Sequence, residues 1–146
     1  MGFRVAMIGA GGIGSNLLRI LAPTLSQSIL SERLGGIEIT IFDSDLVEQN
    51  NLHHQGYSVF DIGKYKVHAL VESLSIFESS LISFKPINCD VNESTNLDRF
   101  NLVIVCVDSP HARIITHSSC LRWLDLRCRG DNFMALDYNA DDSVIK

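Results

Sequence analysis

The sequence predicts a doubly wound α/β fold: a Rossmann-like, mostly parallel sheet with helices on both faces. Three observations predict it. A glycine loop, Gly9-Ala10-Gly11-Gly12-Ile13-Gly14, follows a short β-rich run directly. Apolar runs of strand length alternate with stretches of helical periodicity. The run Leu102 to Val107 is apolar throughout, as suits a strand covered on both faces.

Arg4 to Ile8 is the first strand. From Gly12 to Ala22 the residues Ile13, Leu17, Leu18, Ile20 and Leu21 recur at helical spacing, and Pro23 is expected to end that helix. A long Ser- and Leu-rich connection follows, with a helical turn expected around Ile29 to Leu34. Ile37 to Phe42 reads as the second strand, and a polar loop then runs to Gly56. Lys64 to Phe77 reads as a helix with Val67, Leu70, Val71 and Leu74 on one face. Leu81 to Ile87 and Leu102 to Val107 are the third and fourth strands. Pro110 opens a helix expected to reach about Arg122, and Trp123 to Leu126 and Phe133 to Tyr138 are the last strands. The tail is polar from about Asn139. With 146 residues and no linker or repeat, residues 1–146 read as one domain.

Composition excludes several classes. The net charge of -5 argues against a nucleic-acid surface, which needs clustered Lys and Arg. The longest strongly apolar run is too short for a membrane span. The glycine loop lies too near the N-terminus to leave room for a signal peptide, so a cytoplasmic location is expected. Cys89, Cys106, Cys120 and Cys128 form no C-x-x-C pair, which argues against zinc or a redox motif. Cys106, inside Val-Ile-Val-Cys-Val, reads as a core filler. Cys128, between Arg127 and Arg129, has the surroundings that lower a thiol pKa, although most free cysteines are simply packed.

Gly9, Gly11 and Gly14 fit G-x-G-x-x-G, with Gly12 between them. Missing side chains permit a tight turn and let backbone N–H groups approach a phosphate at a helix N-terminus. Asp43 ends the second strand, where an acid accepts hydrogen bonds from ribose hydroxyls. To this point an NAD-binding protein and an unliganded glycine turn also fit.

The stretch Asp43-Ser44-Asp45 through Asn51-Leu52-His53-His54-Gln55 narrows the reading. Together with Gly63, Lys66 and an Asp at the end of a later strand, Asp108, it resembles the ThiF/MoeB/ubiquitin-activating superfamily of adenylating enzymes. The pattern there is a glycine loop, a strand ending D-x-D, then N-x-x-R-Q, G-x-x-K and a magnesium-holding Asp. The resemblance covers about residues 3 to 138. The connection after Pro23 and the late Trp-Leu-Asp-Leu stretch look most like phage- or plasmid-borne members.

The resemblance implies ATP and magnesium as cofactors. Gly9, Gly11, Gly12 and Gly14 would cradle phosphate, with Asp43 on the ribose and Asp45 and Gln55 beside it. Asn51 and Lys66 would contact phosphates, with Lys66 neutralising charge at the reacting centre. Asp108 would orient magnesium, and His54 would be the third catalytic residue, in the place of a phosphate-gripping arginine. The reaction implied is attack of a protein's C-terminal carboxylate on the α-phosphate, giving an acyl-adenylate and pyrophosphate. The partner implied is a ubiquitin-like or sulfur-carrier protein, and the assembly a homodimer or a complex with a related chain. Each residue also has a plain structural reading: Asx-turn caps for Asp43 and Asp45, a turn for Asn51, a solvated lysine for Lys66, a helix cap for Asp108.

Three departures bear on activity. His54 occupies the place of the family's arginine, so a permanently charged fork is replaced by a titratable ring. The family's arginine-bearing N-terminal extension, and its C-terminal half with crossover loop and transfer cysteine, have no counterpart in this sequence. Arg127-Cys128-Arg129 is expected to be a solvated loop, or else a source of replacement charge or a site for the substrate's C-terminal carboxylate. Arg113 aligns with an arginine common in that region, and is expected to touch ligand or pair with an acid. His111 and His117 read as surface residues. A nucleotide-binding scaffold without turnover is thus the rival reading, and an NAD-dependent oxidoreductase the third.

Overall fold

The computed structural model describes residues 2–119 and 122–141. Strands β1 (Phe3–Ile8), β2 (Ile37–Phe42), β3 (Ile82–Ile87), β4 (Leu102–Val105), β5 (Trp123–Arg129) and β6 (Asn132–Asp137) alternate with four helices. These are α1 (Gly12–Ser26), α2 (Ile29–Arg33), α3 (Lys66–Leu74) and α4 (Pro110–Ser119). The strands form one sheet in the order β3-β2-β1-β4-β5-β6, parallel except for β6. This is the doubly wound, Rossmann-like arrangement that the alternation of elements predicts.

The central strands β1, β2 and β4 are buried on both faces, as their apolar residues require, while β6 at the edge is mostly exposed. On one face Val5, Met7, Ile39 and Ile41 meet Leu18 and Ala22 of α1 and Val67, Leu70 and Leu74 of α3. On the other, Ala6, Ile8, Val103, Val105 and Trp123 meet Ala112 and Ile115 of α4 and the loop residues Val91 and Leu97. Burying one such aliphatic side chain contributes roughly 1.5–3 kcal/mol before entropy is counted. Cys106 is a core filler as expected: its thiol lies 3.4 Å from the Met7 sulfur, and burial pushes its pKa up to about 12.

Several expected boundaries are corrected. Pro23 does not end α1, which continues to Ser26. Proline removes one helical N–H, but Leu25 packs against the core. The Thr24 hydroxyl donates to the Ile20 carbonyl at 3.0 Å and the Ser26 hydroxyl to the Pro23 carbonyl at 2.9 Å. α3 begins at Lys66, not Lys64, because residues 64–66 run against residues 45–47: the Val47 N–H donates to the Lys64 carbonyl at 2.8 Å. Its last turn, Ser75–Phe77, is a 3-10 helix. β3 starts at Ile82 rather than Leu81. β4 stops at Val105 rather than Val107; one more bond, from Cys106 N–H to the Ile8 carbonyl at 2.8 Å, precedes the turn away.

Arg127-Cys128-Arg129 is strand, not loop. β5 runs on to Arg129 and pairs antiparallel with β6, Arg127 opposite Met134 and Arg129 opposite Asn132. The expected end of the fourth helix near Arg122 spans residues 120 and 121, outside the described residues. So does the last part of the polar tail, from 142 onward.

Candidate functional site

β1 has β2 on one side and β4 on the other, so the sheet's connections reverse direction between β1 and β4. Crevices at such a switch point, beyond the carboxyl ends of the strands, are where doubly wound sheets bind ligands. Here a cleft of about 220 Å³ lies at that place, lined by Gly9, Asp43, Asp45, Asp90, Asp108 and His111, among others.

The glycine loop forms one wall. Gly9 has φ of 99°, a conformation that L side chains rarely adopt, and a Cβ there would lie 2.5 Å from the Val107 side chain. A Cβ on Gly14 would stand 2.0 Å from the Gly9 carbonyl oxygen, so α1 can approach β1 only without one. Gly11, by contrast, faces open space within 4 Å. It is the N-cap of α1 and supplies no side-chain cap, and the first turn carries no acid. The leading N–H groups of this 15-residue helix are therefore available to an anion.

Asp43, buried at the end of β2, ties the loop in place. One carboxylate oxygen accepts from Ala10 N–H at 2.7 Å and the other from Asp45 N–H at 2.9 Å. The second bond is an Asx-turn, so the plain structural reading of Asp43 is realised. Burial pushes the Asp43 carboxyl above its ordinary value, against the opposing pull of those two N–H groups and of Lys66. Tyr57, which sequence reasoning missed, holds the other side: its hydroxyl donates to the Ala10 carbonyl at 2.5 Å. Burial keeps that phenol well above its ordinary pKa, so it remains a donor. No spacing rule singles out a tyrosine in a polar loop.

Lys66 is not a solvated lysine. It is only 6% exposed and its ammonium sits 2.7 Å from an Asp45 carboxylate oxygen. The G-x-x-K spacing gains a physical cause here. Gly63 N–H donates to the Val47 carbonyl at 2.9 Å and Lys66 N–H to the Asp45 carbonyl at 2.9 Å, so the segment clamps to the D-x-D loop and delivers the lysine beside it.

The Asn51–Gln55 stretch folds over α1. Asn51 closes a 3-10 turn, its side-chain oxygen accepting from Glu48 N–H at 2.8 Å, which leaves the donors of its amide nitrogen for a ligand. The His54 backbone carbonyl accepts from the Asn16 amide at 3.3 Å, and Gly56 N–H donates to Ser15 at 3.1 Å. A Cβ on Gly12 would lie 3.4 Å from the His54 carbonyl oxygen and 3.8 Å from its ring. His54 therefore lies against the glycine loop with its side chain exposed. The Gln55 side-chain oxygen is buried with no hydrogen-bond partner.

Gly9, Asp43, Asp45 and Asp108 thus line one cleft and Lys66 joins it through Asp45, while His54 lies against Gly12 and is not among the cleft's lining residues. Asn51 and Gln55 stay in their own turn. Asp108 is exposed on the rim, and among the described residues no donor reaches its carboxylate. Its chemistry fits magnesium, which binds through one or two carboxylates plus substrate phosphates. Among the described residues no cluster of three metal-ligating side chains occurs.

Arg113 pairs with an acid, Asp125, at 3.2 Å. His111 is exposed, 3.4 Å from Glu93, as expected of a surface residue. His117 is not one: its ring stacks on Trp123 at 3.9 Å. Its Nε2 lies 3.2 Å from Asp125 Oδ2, but off the line a hydrogen bond needs. Burial lowers its pKa below the ordinary value.

The ThiF family sequence profile matches residues 2–125. The chain belongs to the ThiF family. Among its relatives is the adenylyltransferase and sulfurtransferase UBA4 of Yarrowia lipolytica, 28% identical over 121 residues, covering 81% of this chain and 28% of that protein. Ubiquitin-like modifier-activating enzyme 5 of Drosophila melanogaster is 27% identical over 140 residues, covering 83% of this chain and 32% of that one. This ThiF chain therefore spans about a third of the length of those relatives. Among solved structures, E. coli MccB with MccA-N7isoASN superposes with a TM-score of 0.71 at 23% identity, over 92% of this chain and 39% of MccB. E. coli TcdA, a tRNA N6-threonylcarbamoyladenosine dehydratase solved with AMP, gives 0.62 at 20% identity, over 80% of this chain and 46% of TcdA. At that identity these likenesses concern the fold. No helix among the described residues is long and apolar enough to cross a membrane.

Proposed function

We propose that this ThiF domain binds ATP with magnesium and adenylates the C-terminal carboxylate of a ubiquitin-like or sulfur-carrier protein in the cytoplasm. The observation that carries the reading is a switch-point cleft lined by Gly9 of the glycine loop and by Asp108, which has no donor among the described residues, with the uncapped start of α1 next along that loop and a buried lysine paired to the lining residue Asp45. An uncapped N-terminus takes phosphate, and a lysine held out of water neutralises negative charge more strongly than a solvated one. Relatives bearing adenylyltransferase and modifier-activating names, and MccB solved with ATP, support the same substrate class.

In this reading the carrier's terminal carboxylate oxygen attacks the α-phosphorus, the bond to the bridging oxygen breaks, and pyrophosphate leaves with the electron pair. Charge grows on the phosphoryl oxygens, so donors already oriented in the fold count most. The Gly11–Gly14 N–H groups hold phosphate oxygens. Lys66 leaves Asp45 and moves to the phosphates, while Asp43 orients the ribose edge of the loop. Asp108 is the residue that would hold magnesium, which when bound would supply further positive charge to the phosphates. The domain works paired with a second copy or a related chain, as the resemblance implies.

ATP–pyrophosphate exchange with a panel of carrier proteins tests this. Carrier-dependent exchange abolished by Lys66→Ala is expected. Tight ATP binding with no exchange for any carrier would favour the second reading, a nucleotide-binding scaffold, for which His54 in place of an arginine is the specific observation.

A further inference from the structure

We infer that Arg113, anchored on the buried Asp125, is a positioning residue that fixes the Val107–Asp108 backbone and thereby aims the Asp108 carboxylate into the cleft. The inference rests on the nucleotide-site reading above. After Cys106 no ladder bond from the described residues holds the chain leaving β4. The Val107 and Asp108 carbonyls turn instead to one side chain. Arg113 Nη2 donates to the Val107 oxygen at 2.6 Å and Nη1 to the Asp108 oxygen at 3.3 Å. Nε of the same guanidinium donates to Asp125 Oδ1 at 3.2 Å.

The anchor is built into the sheet. Asp125 is 0% exposed and stands in register with Val105, the last residue of β4, so it lies beside the point where the loop departs. Its other oxygen, Oδ2, accepts from Arg127 at 2.8 and 3.1 Å, which fixes the carboxylate's rotation and leaves Oδ1 directed at Arg113. A buried carboxylate this well paired is costly to disturb. The rim carboxylate of Asp108 has no donor of its own among the described residues, so its aim depends on the backbone that carries it. Three acceptors in one fork suit a planar guanidinium and not an ammonium, which is a point charge on a flexible stem. Arg113→Lys therefore keeps the charge near Asp125 and removes the fork.

The test uses the full chain and a non-hydrolysable ATP analogue, titrated by calorimetry with and without magnesium. Wild type is expected to bind more tightly with magnesium, and Asp108→Asn to lose that gain. Arg113→Lys is expected to lose most of it as well, roughly 10–100-fold as for other groups that orient a metal ligand. Its magnesium-free affinity and melting temperature should stay as in wild type. Full retention of the magnesium gain in Arg113→Lys would overturn the proposal, and so would an equal loss of affinity with and without magnesium. Should Arg113→Lys fail to fold, Asp125→Asn, which removes the anchoring charge but keeps Arg113, is expected to lose the magnesium gain likewise, at a lower melting temperature, and full retention of the gain there would overturn it. If wild type binds no nucleotide, the functional reading fails on its own. Hydrogen exchange then decides the bracing: faster exchange at Asp108 and Ser109 in Arg113→Lys upholds it, and unchanged exchange overturns it.

Discussion

Asp43 accepts from Ala10 N–H and Asp45 N–H at once, and so joins the glycine loop of one strand to the acid loop of the next. Sequence reasoning singled out Asp43, Lys66 and Asp108 because their spacing follows a known pattern. It missed Tyr57 and left the partner of Arg113 open, because those bonds join positions 47 and 12 residues apart with no periodic spacing. It also placed His117 on the surface, since a polar residue on an amphipathic helix ordinarily faces water. Stacking on Trp123 makes it half-buried. Its pKa lies below the ordinary 6.5 because burial disfavours the charged ring. The unfolded chain therefore binds the proton first as pH falls. The stability held by neutral His117 is fully present above pH 6.5 and is lost as pH drops through the depressed folded value. Melting temperatures of wild type and His117→Gln, measured from pH 7.5 to 5, should converge as pH falls; a constant gap would refute the buried neutral ring. His54 lies beside Gly12, and under the proposed function a charge there would face phosphate. His54→Arg is expected to raise pyrophosphate exchange roughly ten-fold or more, since losing one oriented donor costs about 2–4 kcal/mol of transition-state stabilisation. No gain in exchange at unchanged ATP affinity would show that charge at this position is not limiting.

The central strands were legible because parallel strands covered on both faces must be apolar along most of their length, and Ile37–Phe42 and Leu102–Val105 have that composition, whereas the edge strand Ile82–Ile87 carries an exposed Lys85 and a proline. Ends were less legible, because tertiary bonds set them. α3 starts at Lys66 through contacts with residues 45–47, and β4 stops where the Val107 carbonyl turns to Arg113. Nothing local to either segment records those partners. Pro23 inside α1 is the same lesson: side-chain packing of Leu25 outweighs one missing helical bond. The face of α3 that holds Lys66 in register is its apolar one, with Leu70 fully buried against the sheet. Leu70→Ala is expected to cost roughly 2–5 kcal/mol, as for other buried leucines. Chemical denaturation would read it as a lower midpoint with an unchanged slope, and a loss under about 1 kcal/mol would mean that α3 repacks freely.

At the scale of the molecule, the order β3-β2-β1-β4-β5-β6 brings the ends of β1, β2 and β4 to one crevice, and every element of the proposed chemistry hangs on that crossover. The fold class followed from alternation and the glycine turn alone. The nature of the ligand did not, since a dinucleotide fold and a triphosphate fold share both features. What separates them is the company around the glycine loop: Lys66 buried at Asp45, and Asp108 open on the rim. A lysine and a magnesium-holding carboxylate serve a triphosphate; a dinucleotide's paired phosphates need neither. Isothermal titration of the chain with ATP in magnesium and with NAD tests this most directly. One saturable ATP site, at least about ten-fold tighter than any NAD binding (about 1.4 kcal/mol), is the predicted result, and NAD binding the more tightly of the two would contradict it.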